Sequence, residues 1–78
     1  MPTLLREGPF RFFFYLGDRG EPPHVHVQRD NHIAKFWLNP VTLERSGGLS
    51  RSELRRVERI IEENQTSFLG EWNVRFND

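Results

Sequence analysis

Two alternating runs, HVHVQR and HIAKFW, are separated by only two residues, Asp30 and Asn31. That spacing constrains the fold more than any other feature of the chain. Alternation at period two reads as strand. Asp and Asn tolerate the positive φ that a two-residue hairpin turn requires. Such a turn pairs Arg29 with His32, and every other partner follows. Val27 then faces Ala34 and Val25 faces Phe36, side chains that suit a core. On the opposite side His26 faces Lys35, His24 faces Trp37 and Gln28 faces Ile33.

The flanking sequence extends this hairpin. Residues 10–15 (FRFFFY) are aromatic and lie between Gly8-Pro9 and Gly17-Asp18, which predicts a further strand. Phe10, Phe12 and Phe14 suit the core, leaving Arg11, Phe13 and Tyr15 outward. Residues 16–23 (LGDRGEPP) read as a loop whose prolines extend the chain just before His24. Residues 38–48 (LNPVTLERSGG) read as turn, with a short edge strand over 41–44. Ser50 and Glu53 form an S-x-x-E capping box. Apolar residues follow at Leu54, Val57, Ile61, Phe68, Trp72 and Phe76, on helical spacing. NQTS and Gly70 weaken the second half, leaving one long helix or two with a break near Asn64. The expected architecture is α+β: a three- to four-stranded antiparallel meander (residues 9–44) packed against C-terminal helix (residues 50–76), in a single small domain over 1–78.

Composition narrows the chemistry. Cysteine is absent, so disulfides and thiolate metal sites are excluded. Formal net charge is zero, which argues against strong sequence-independent nucleic-acid binding. The charge is nonetheless uneven: an arginine-rich stretch over 45–59 precedes a net acidic C-terminal part. Neither a signal-peptide pattern nor a membrane span is legible, so the expectation is a cytoplasmic protein.

The outward side of the sheet gathers His24, His26, Lys35, Trp37, Arg11 and Tyr15. Three readings of the histidines stand open. As metal ligands, they sit two residues apart on one strand, about 7 Å by strand rise, and Asp18 or Glu21 is the candidate carboxylate. As general acid or base, His24 or His26 acts with Lys35 or Arg11 holding negative charge, which suits phosphodiester cleavage without metal or cofactor. As ordinary residues, they are outward polar side chains or hydrogen-bonded struts for the proline loop. His32 reads as a turn-flanking residue. Arg51, Arg55 and Arg59 on the helix form either a solvated face or a docking stripe for phosphates or an acidic partner.

The blocks MPTLLR, FRFFFY, EPPHVHV, AKFWL and ELRRVERIIEENQTSFLGEWNVRF together resemble a family of very small prokaryotic proteins, domain of unknown function 4160. The resemblance spans nearly the whole chain, and EPPHVHV and AKFWL are its most specific parts. It implies characteristic positions at Pro22, Pro23, His24, His26, Lys35 and Trp37. It also implies a small partner protein encoded alongside, in a toxin–antitoxin-like bacterial gene context. NQTS and Gly70 depart from the family's more continuous helix. A looser likeness, to double-stranded-RNA-binding-like ribonuclease toxins, rests on the succession of His-bearing strand, turn, strand and helix.

The leading expectation is therefore one component of a two-protein module that binds RNA or its partner through the His24/His26/Lys35/Trp37 face. If it is an enzyme, it is a metal-independent endoribonuclease with His24, His26 and Lys35 as catalytic groups. Arg11, Tyr15, Trp37, Arg51, Arg55 and Arg59 then contact substrate or partner. The alternative is a non-catalytic interaction module, with the same sheet face and the apolar end of the helix (Phe68, Trp72, Phe76) as a homo-oligomer or partner interface. The third reading is a metal-binding protein using His24 and His26.

Overall fold

A computed structural model describes residues 3–76. The chain forms strands β1 (Thr3–Glu7), β2 (Phe10–Phe13), β3 (His24–Arg29), β4 (His32–Leu38) and β5 (Val41–Arg45), then helices α1 (Arg51–Glu63) and α2 (Gln65–Phe76). The strands make one antiparallel meander in the order β1-β2-β3-β4-β5. The α+β class is as expected, but the sheet has five strands rather than three or four. The unforeseen strand is β1. TLLRE has no strict alternation, and it is held by pairing with β2 across the Gly8-Pro9 turn.

The β3–β4 register is the one the hairpin spacing requires. His24 pairs with Trp37, Val25 with Phe36, His26 with Lys35, Val27 with Ala34 and Arg29 with His32. Asp30 takes the positive φ, 53°, that the tight turn demands. The valine side is the core the alternation predicts: Val25, Val27, Ala34 and Phe36 are fully enclosed there with Phe10, Phe12 and Phe14. β2 ends at Phe13, two residues before Tyr15, because the chain there enters a 3-10 turn at Leu16–Asp18.

The helices cover the valine side. Ser50 caps α1: its Oγ accepts from the Glu53 amide at 3.2 Å and its own amide donates to Glu53 Oε1 at 2.9 Å. Val57, Ile60 and Ile61 of α1 and Phe68 and Trp72 of α2 complete the core. The helical region breaks at Asn64, whose side chain donates to the Ile60 carbonyl at 2.8 Å. Asn competes with the helix for its own backbone bonds in this way. Gln65 Nε2 then donates to Leu38 O at 2.7 Å, tying the start of α2 to the end of β4. No helix among the described residues is long and apolar enough to cross a membrane.

Candidate functional site

The side of the sheet away from Val25 and Val27 carries the predicted set, but it is not a solvated surface. His24, His26 and Lys35 are all buried, with His24 at 0% exposure and His26 at 4%. The register places their side chains on the expected side of the sheet, but that side is closed over rather than open. The reason is the segment between β2 and β3, which folds back over the sheet. Its 3-10 turn carries Asp18, itself 7% exposed, down onto both imidazoles.

Asp18 is oriented by its own turn. One carboxylate oxygen, Oδ2, accepts from the Tyr15 amide at 2.8 Å. The other, Oδ1, lies 3.0 Å from His24 Nε2 and 3.4 Å from His26 Nε2. His24 is oriented from its far side: Nδ1 donates to the Pro22 carbonyl at 2.9 Å. Burial pushes the His26 imidazole below its ordinary pKa, and the Asp18 carboxylate pulls the other way.

Aromatic rings and cations fill the rest of this layer. Phe13 stacks on His26 at 5.6 Å between centroids, and Tyr15 packs against the same ring at 4.5 Å. The Arg11 guanidinium lies over Phe13 at 4.2 Å and donates to Gln28 at 2.9 Å. Lys35 Nζ sits over Trp37 at 4.8 Å and pairs with Glu21 at 2.7 Å. That hydrogen bond from Lys35 holds the Glu21 carboxyl below its ordinary range. His24 meets Trp37 edge-on at 5.6 Å and Trp72 of α2 at 5.0 Å. The predicted Arg11, Tyr15, Trp37 and Lys35 are therefore engaged with one another and with the histidines. Tyr15 keeps 42% of its surface exposed.

The predicted arginines of α1 are elsewhere. Arg51 and Arg55 border a cleft of about 230 Å³ lined also by Phe36, Leu43, Leu54 and Glu58. Phe36 belongs to the valine side, so this cleft opens on the side of the sheet opposite the histidines. Arg59 lies two turns beyond Arg51 on the same helix, also exposed. The two halves of the predicted binding set thus occupy separate surfaces. Phe68 and Trp72, expected at an oligomer interface, are buried within the chain at 2% and 6% exposure. Their spacing marked an apolar helix face correctly, but that face is covered by the sheet.

Two contributors escaped sequence reasoning. The Pro22 carbonyl has no side-chain signal. Trp72 reaches His24 from across the fold, a contact no local pattern encodes.

No curated protein and no solved structure was found to match this chain. A family model described as "Domain of unknown function (DUF4160)" matches residues 10–73. The matched span contains Asp18, both buried histidines, Lys35 and all of α1, and on that coverage the chain belongs to the DUF4160 family.

Proposed function

We propose that the chain is a cytoplasmic binding module, one component of a bacterial two-protein pair of toxin–antitoxin type. It takes an acidic segment of its small partner protein across the β5–α1 cleft. One observation carries the reading: Leu43 and Leu54, backed by the buried Phe36, form an apolar floor beside Arg51 and Arg55, with Glu58 as the one acidic residue of the lining. Leu43 is 42% exposed, a large apolar side chain left open on an edge strand. Among the described residues, Arg51, Arg55 and Arg59 have no ion pair. A segment with one apolar anchor and flanking carboxylates matches that surface in shape and charge.

RNA cleavage is the weaker reading. A general acid or base must come within hydrogen-bond reach of the scissile group, and His24 and His26 are covered by the Asp18 segment and by aromatic rings. RNA docking on that layer would have to displace contacts already made.

The test is co-purification with the small protein encoded beside this one. A complex is expected, and the double variant Arg51→Glu, Arg55→Glu weakens it by about tenfold or more. Arg6→Glu, on the far edge strand β1, leaves it unchanged. No complex, or one indifferent to the charge reversal, overturns the proposal. RNA cleavage that disappears in His26→Ala replaces it with the nuclease reading.

A further inference from the structure

Hydrogen bonding accounts for one imidazole of the cluster and not the other: His26 Nε2 lies within hydrogen-bond distance of Asp18 Oδ1 at 3.4 Å, whereas His24 Nε2 makes no such bond. A carbonyl oxygen only accepts, so His24 Nδ1 must carry the proton it gives to Pro22 O. In a neutral imidazole the other nitrogen, Nε2, is then a bare lone pair. That lone pair lies 3.0 Å from a carboxylate oxygen of Asp18. The two are close but not aligned as a hydrogen bond, and Nε2 has no hydrogen-bond partner among the described residues. Two acceptors facing each other in a buried site repel unless a cation lies between them.

We propose that Asp18, His24 and His26 bind a divalent first-row transition ion, with zinc the best match to the donor set. One ligand atom from each residue lies within 4.8 Å of the others. Two donors sharing a tetrahedral metal at bond lengths of about 2.0–2.1 Å stand about 3.3 Å apart. The observed Nε2–Oδ1 separations are 3.0 and 3.4 Å. The remaining atoms of the ligands are held as metal ligands usually are. Pro22 O fixes the His24 ring through Nδ1, and the Tyr15 amide fixes Asp18 through Oδ2. Two imidazoles and one carboxylate, without thiolate, suit zinc. The ligands come from β3 and from the segment folded over it, so the ion would staple that segment to the sheet. The competing occupant of the gap is a proton, giving a buried imidazolium at His24 against the Asp18 carboxylate.

The experiment uses the full chain, purified without a histidine tag, dialysed against zinc and then against metal-free buffer. Elemental analysis is expected to give close to one equivalent of zinc, and zinc raises the thermal midpoint relative to chelator-treated protein. Cobalt in place of zinc gives the visible absorption of a low-symmetry site with nitrogen and oxygen donors. Asp18→Asn and His26→Gln each weaken zinc binding by about tenfold or more, while His32→Ala, on an exposed histidine outside the cluster, does not. Asp18→Asn keeps the size of the side chain and its bond to the Tyr15 amide, so it reports on the charge and not on the fold. Retention below about 0.1 equivalents in the wild-type chain, given how tightly structural zinc is held, overturns the proposal. So does zinc binding that survives both cluster variants or is lost in His32→Ala. NMR showing both ring nitrogens of His24 protonated in zinc-treated protein identifies the proton as the occupant and overturns it equally.

Discussion

Asp30 and Gly47 show how much single backbone positions decide. Asp30 at φ 53° closes the hairpin in the one register that puts the valines inward. Gly47 takes φ +61°, and a Cβ there would overlap the Ile33 carbonyl. Gly47→Ala combines a left-handed conformation with a clash against backbone that cannot move away. It is expected to cost about 1–3 kcal/mol, read as a lower urea midpoint with unchanged slope. Which side each histidine takes was legible from the residue pattern, since strand side chains alternate strictly. Asp18 was legible only as one of two candidate carboxylates. The direction of its side chain depends on a 3-10 turn and on the Tyr15 amide, and neither leaves a mark in local sequence.

Among the elements, α1 is the one most plainly written. Its capping box is formed as the S-x-x-E pattern requires, and Glu53 also pairs with Arg29. Ser50→Ala is expected to cost about 1 kcal/mol in urea unfolding. The Glu53 carboxyl is held below its ordinary value of 4.5, first by the Ser50 amide and then with help from Arg29. A depressed folded pKa means that the contribution is complete above that ordinary value. It is lost as pH falls through the lower, folded one. The acid limb of a stability–pH profile should therefore flatten in Glu53→Gln, and an unchanged limb would contradict the cap's role. β1 was the element that could not be read. A short edge strand has few core positions to pattern, and it forms because β2 offers it a free edge.

At the scale of the whole molecule the sheet is a middle layer, not a wall with one wet side. Phe12 belongs to the helix-side core, whereas Phe13 lies beneath Arg11 and against His26 on the other side. Phe12→Ala and Phe13→Ala are each expected to cost about 3–5 kcal/mol, a large share of the roughly 5–15 kcal/mol that holds a small domain together. Urea titration of the two variants checks this. A sheet with a solvated outer side would instead leave Phe13→Ala within about 0.5 kcal/mol of wild type. By itself the sequence determined the hairpin, its register, the helix start and which side chains share a side, because these follow from turn chemistry and from periods of two and 3.6 residues. Only the tertiary structure decided that the histidine side is sealed and the arginines lie on the other one. Burial depends on what the chain brings back from far along its length: here a proline-bearing loop over β3 and a tryptophan from the last helix.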